Sequence, residues 1–160
     1  MTAIYVDADA CPVKEEVYRV ARRHGLRVFV VANVVLQVPR EALIEVVVAS
    51  SRPDAADDWI VEQIGANDVL VTADLLLVDR ALKKGARVLL PNGREHTAET
   101  IVGALASRAL MESIRASGSI TGGPSAFGPR DRSRFLGELE RVVRAARRAR
   151  GEERGAKGEG

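Results

Sequence analysis

The stretch AIYVDADACPVKEEVYRVARRHG, residues 3–25, changes its periodicity partway along. Residues 3–7, AIYVD, are a short apolar run ending in charge, as a buried parallel strand does at its carboxyl end. From Val13 onward the period becomes helical. Val13, Val17, Val20 and Ala21 share one face, Pro12 suits the first helical position, and Gly25 suits the stop. A strand running directly into a helix is the first half of a β-α-β unit.

The same alternation recurs down the chain. RVFVVA (27–32), IEVVV (44–48), DVLVTAD (68–74) and RVLL (87–90) read as strands. Helices are expected over about residues 55–64, 76–84 and 97–116. Strands separated by helices imply parallel pairing and right-handed crossovers, hence a three-layer α/β domain with a parallel sheet of about five strands. Residues 117–129, SGSITGGPSAFGP, read as a loop. Beyond it Phe135, Leu139, Val142 or Val143, and Ala146 recur at helical spacing, so an arginine-rich helix should dock on the domain by one apolar stripe. Residues 1–149 are thus expected to form one domain. Residues 150–160 lack apolar periodicity and are expected to be a disordered tail.

Composition narrows the chemistry. The 160 residues are 46% hydrophobic, enough for a substantial core, and 4% aromatic, too few for the aromatic base-stacking platforms of RNA-recognition modules. Cys11 is the single cysteine, and no Cys/His cluster has zinc spacing, so any metal would be held by oxygen. No basic segment followed by an apolar h-region opens the chain, and no apolar run nears the ~20 residues of a membrane span. A cytoplasmic protein without a membrane partner is the expectation. No feature of the sequence specifies an oligomeric state. The net charge of +2 is unevenly spread, with eight arginines between Arg130 and Arg150 against Asp131, Glu138 and Glu140.

Asp7 and Asp9 sit where the first strand gives way to a helix, and Asp74 ends VLVTAD. Ligands of open parallel sheets bind beyond the carboxyl ends of the strands, where neighbouring crossovers leave on opposite faces. If the strand order is 3-2-1-4-5, strands one and four are neighbours there and the three aspartates converge. Two carboxylates ~5 Å apart at an effective dielectric of about 20 repel by roughly 3 kcal/mol. A helix N-terminus returns only ~0.3 to 1 kcal/mol per acid. Either one aspartate holds a proton or a cation sits among them, and hard oxygen donors point to Mg²⁺ or Mn²⁺. Singly, Asp9 is explained as a helix-start residue and Asp7 as a polar strand end. It is the joint pattern that marks a site.

Several other residues are candidates with simpler explanations beside them. Asp54, Asp57 and Asp58 precede or open a helix, where the dipole alone accounts for an acid, although Asp57 or Asp58 would complete the cluster. Asp79 reads as part of a solvated helix face. Thr72 and Asn33 lie near strand ends and are placed to bind water or substrate, or simply to end a strand. Lys14, at the third position of a helix beginning at Pro12, is near enough to meet a phosphate. Arg130 and Arg132, with the arginines that follow, would attract a polyanion. Cys11 is disfavoured as a nucleophile because Asp7 and Asp9 oppose a thiolate, and Val17 stands where a cysteine phosphatase loop requires arginine. His24 and His96 read as helix-end residues.

VDADACPVK (6–14), DAADDWI (54–60), LVTAD (70–74) and ITGGP (120–124) together resemble the bacterial YaiI/YqxD family, over the chain to about Val143. That family is thought to be related to PIN-like nuclease domains. The resemblance implies a 3-2-1-4-5 parallel sheet and an acidic cleft binding one or two divalent ions. It implies Asp7, Asp9 and Asp74 as metal ligands, with Asp57 or Asp58 in the place of an acid from an intermediate helix, usually Glu in PIN domains. Three functions follow. The first is a Mg²⁺- or Mn²⁺-dependent nuclease acting on RNA or another phosphate-containing substrate. The second is a haloacid dehalogenase-like phosphatase with Asp7 as nucleophile and Asp9 as acid. The third is an RNA-binding module without turnover.

Overall fold

The computed structural model describes residues 1–9, 11–118 and 127–152. Most of the expected 117–129 loop, including ITGGP, and the tail from residue 153 lie outside the described residues.

Eleven elements follow one another. They are β1 (Ala3–Asp7), α1 (Lys14–His24), β2 (Arg27–Ala32), β3 (Ile44–Val48), α2 (Ala55–Gln63), β4 (Val69–Val71), α3 (Leu75–Lys83), β5 (Arg87–Leu89), β6 (Glu95–His96), α4 (Ala98–Ala116) and α5 (Pro129–Ala149). The sheet order is β3-β2-β1-β4-β5-β6. The first five strands pair parallel, in the 3-2-1-4-5 order anticipated, and β6 adds an antiparallel edge to β5. That sixth strand is an addition to the expected sheet. It is two residues long and too short to carry a periodicity.

Strand alternation divides the core in two. Ile4, Val6, Val28, Val30, Val69, Val71 and Leu89 face the layer formed by α1 and α5. Tyr5, Val31, Leu70 and Val88 face α2, α3 and α4. In α5 the buried stripe is Phe135, Leu139, Val142, Val143 and Ala146, the spacing read from sequence with both valines included. Full burial of such side chains stabilises by roughly 1.5–3 kcal/mol each for the larger ones, so α5 is an integral layer of the domain.

Charges finish the docking of α5. His24 lies between Glu140 (2.9 Å) and Arg147 (3.0 Å), tying the end of α1 to α5. Arg150 donates to the Ala66 carbonyl, and buried Asp68 accepts from the Ala3 and Gly65 amides at 3.0 and 2.9 Å. Near its start α5 meets the β5–β6 turn, where Gly93 has φ +90°. A Cβ there would stand 2.7 Å from Arg134 Cγ and 3.1 Å from the Arg134 carbonyl carbon. The close approach therefore requires glycine.

Two boundaries differ from expectation. α1 begins at Lys14, after Pro12, because the Pro12 carbonyl accepts Arg132 Nη1–H at 2.6 Å, whereas a helical start would direct it to an amide of the next turn. β4 ends at Val71, and Asp74 is the N-cap of α3. Gly25 ends α1 in the left-handed conformation at φ 65°, as its position suggested. Among the described residues no helix is long and apolar enough to cross a membrane.

Candidate active site

The crossovers diverge between β1 and β4, one leading to α1 and the other to α3 on the opposite face. Asp7 is the last residue of β1, half-buried beyond Val6, and its Oδ2 accepts the Thr72 hydroxyl at 2.7 Å. Thr72 is buried, one residue past β4, and its Oγ1 in turn accepts the Asp74 amide at 3.1 Å. One hydroxyl therefore fixes both the Asp7 carboxylate and the loop that carries Asp74. Asp74 Oδ1 caps α3 by accepting the Leu76 amide at 3.0 Å, leaving Oδ2 for the cleft.

Asp9 is exposed two residues past β1, with Asn33 Nδ2 at 3.5 Å from its Oδ2. Asn33 leaves the end of β2, and its Oδ1 is buried without a hydrogen-bond partner. α2 supplies the fourth acid. Asp57 lines the cleft, whereas its neighbour Asp58 turns away to pair with Arg80 (3.0 Å) and Arg52 (3.4 Å). Consecutive helical residues point about 100° apart, so only one of the two can face inward. Asp57 takes that place.

Asp7, Asp9, Pro53, Asp57, Ala73 and Asp74 line a cleft of about 370 Å³, and among the described residues no basic side chain lines it. Burial pushes the Asp7 carboxyl above its ordinary value, and the Asp9 and Asp74 charges add to this against the stabilising Thr72 hydrogen bond. The Asp57 carboxyl is pushed up to about 6, first by burial and then by the charges of Asp7 and Asp74. The polypeptide thus gathers carboxyl groups in one cleft, opposed at Asp57 in part by Arg80.

The donor set is all carboxylate oxygen, which suits Mg²⁺ or Mn²⁺. Among the described residues no group of three or more His, Cys, Asp or Glu side chains is arranged to hold an ion directly.

Other candidates lie apart from the cleft. Lys14 is the first residue of α1, two positions earlier in the helix than expected, and its Nζ donates to the Cys11 carbonyl at 3.2 Å. Cys11 is buried, which raises its thiol pKa, in keeping with a packing role. Arg132 serves the Pro12 carbonyl and Glu16 Oε1, with its guanidinium 5.2 Å from the Phe127 ring centre. Arg130 is exposed in the first turn of α5. Farther along, Arg141 pairs with Glu95 and Glu138, Arg144 with Glu140, and Arg147 with Glu152. The arginine helix spends these cations on the domain itself. Asp79 pairs with Lys83 on a solvated face, and His96 is buried against Thr100.

In sequence, Ala73 and Leu90 read only as strand residues, and the turn from Pro91 to Glu95 carries no role. Pro12, Ala73, Leu90, Pro91, Asn92 and Phe127 enclose a second hollow of about 250 Å³, and Ala73 is a wall of both. The Pro-Asn-Gly run at 91–93 is a turn signal that would have located that wall.

A family model described as "Uncharacterized BCR, YaiI/YqxD family" matches residues 5–145. The chain is similar to a UPF0178 protein of Nitrobacter winogradskyi, 54% identical over 151 residues covering 93% of this chain and 96% of that one. A UPF0178 protein of Caulobacter sp. is 53% identical over 148 residues, covering 92% of this chain and 98% of the relative. One of Brucella ovis is 55% identical over 147 residues, covering 91% of each. No solved structure matches the chain.

Proposed function

The chain belongs to the YaiI/YqxD family, and we propose that it is a divalent-metal-dependent nuclease acting on RNA phosphodiester bonds. One observation carries the reading. Four carboxylates from three separate segments, Asp7 and Asp9 after β1, Asp57 in α2 and Asp74 before α3, face one cleft at the switch point of the sheet. A pair of acids can be a cap or a strand end. Here burial and the neighbouring carboxylates raise the cost of ionising Asp7 and Asp57, and a counter-charge would relieve it.

Mg²⁺ or Mn²⁺ bound there would supply a Lewis acid for phosphoryl oxygens and lower the pKa of a bound water. Asp7, held by Thr72, and Asp74, held as a helix cap, are the pre-oriented donors. Asp57 and Asp9 line the same space, Asp57 from the wall of α2 and Asp9 from the more exposed side. Thr72 keeps Asp7 and the Asp74 loop in register, so that both would face the same ion.

No observation favours the phosphatase reading, since the cleft lining has no lysine and Lys14 is occupied by a carbonyl. The binding-module reading loses support where the α5 arginines are paired within the domain. The test is cleavage of single-stranded RNA in Mn²⁺ by the wild type, Asp7→Asn and Asp74→Asn. Each variant should lose at least 100-fold, and equal rates would remove the assignment.

A further inference from the structure

The hollow that shares Ala73 with the acidic cleft has a different chemistry. Its walls are the rings of Pro12, Pro91 and Phe127, the Leu90 side chain and the Ala73 methyl. Its polar member is Asn92, whose Oδ1 accepts the Arg94 amide at 2.9 Å, an arrangement that presents the side-chain NH₂ as a donor. Phe127 is partly buried against the α1–α5 core and has the Arg132 guanidinium over its ring, so the aromatic wall is held in place. On the far side, Leu90 also walls a larger groove of about 720 Å³ of mixed charge, with Arg94, Arg108 and Arg115 beside Glu99 and Glu112, the last paired with Arg108 at 3.1 Å.

Two compartments therefore share the Ala73 wall: a carboxylate cleft and a small, open apolar hollow with one amide. A nucleotide carries the same pair of chemistries on one ribose, a phosphate at one side and a flat, apolar-faced base at the other. We propose that the slot formed by Pro12, Leu90, Pro91, Asn92 and Phe127 binds the nucleobase next to the phosphate in the acidic cleft. This rests on the nuclease reading and adds to it a subsite for single-stranded nucleotides. A base buries its apolar faces against the proline and phenylalanine rings and offers a ring acceptor or carbonyl to the Asn92 amide. A duplex, whose bases are stacked and paired, offers the slot nothing.

The experiment is calorimetric titration of the full chain in Mn²⁺ with UMP, AMP and ribose 5-phosphate, for wild type, Phe127→Ala and Asn92→Ala. The nucleotides should bind at least 10-fold more tightly than ribose 5-phosphate. Phe127→Ala should weaken them about 5- to 150-fold, the range for one lost aromatic contact with a base, and leave ribose 5-phosphate unchanged. Asn92→Ala keeps the aromatic wall and should weaken the nucleotides less. Circular dichroism and the Mn²⁺ affinity of each variant check that fold and cleft are intact. Equal affinity for nucleotides and ribose 5-phosphate would overturn the base slot while RNA cleavage still stood. Loss of all binding to wild type together with absent cleavage would overturn both.

Discussion

Replacing Asp57 by Asn should make the metal-free protein more stable, and the gain should grow with pH. The Asp57 carboxyl lies at about 6 in the folded protein, against an ordinary 3.8. Its neutral form is thus favoured by folding, so its contribution is fully present below about pH 4 and is lost as pH rises through about 6. At pH 7.5 the charged group costs at most about 3 kcal/mol at 1.36 kcal/mol per unit. The side chain is partly exposed and Arg80 opposes the repulsion, so solvent screening reduces this to about 1 kcal/mol. For a chain of this length that is about 2–4 °C in melting temperature. The assay is thermal unfolding of both proteins in chelator at pH 4 and 7.5. Asp57→Asn should melt higher at pH 7.5 by that amount and by a small fraction of it at pH 4. A lower melting temperature at pH 7.5, or an equal gain at both pH values, would refute the claim that this carboxylate is held against its neighbours' charge.

Thr72→Val removes the hydroxyl shared by Asp7 and the Asp74 amide, and should weaken Mn²⁺ binding about 10- to 100-fold in calorimetry. Asp68→Ala strands the buried Ala3 amide and the half-buried Gly65 amide at the opposite end of the sheet, and urea unfolding should show a loss of about 1–3 kcal/mol with RNA cleavage unaffected below the transition. Gly93→Ala forces a Cβ against Arg134 at a left-handed backbone, costing about 1–3 kcal/mol in the same assay.

The strands were legible where one face period covered five or six residues. β1 and β2 match their apolar runs because burial on both faces leaves few polar interruptions, and β3, a partly exposed edge strand, matches through its β-branched run. β4 was read too long because VLVTAD runs on without a turn residue before Asp74 in sequence, whereas in space Thr72 Oγ1 accepts the Asp74 amide and Asp74 caps α3. The start of α1 was misplaced because its cause, Arg132, lies 120 residues away. Convergence of Asp7, Asp9 and Asp74 followed from strand order alone, a topological consequence that sequence carries well. The choice of Asp57 over Asp58 did not, since it depends on Arg52 and Arg80 drawing Asp58 outward. The arginine run looked like a polyanion footprint because its eight arginines outnumber the acids within it, and one partner, Glu95, lies 46 residues away from Arg141.

The most direct measurement is anomalous diffraction at the manganese edge from crystals of the full chain grown with Mn²⁺. A peak in the cleft bounded by Asp7, Asp57 and Asp74, absent from an Asp7→Asn, Asp74→Asn double variant, is the predicted result. A clean map of that cleft with no manganese in it, at millimolar metal and neutral pH, would contradict it.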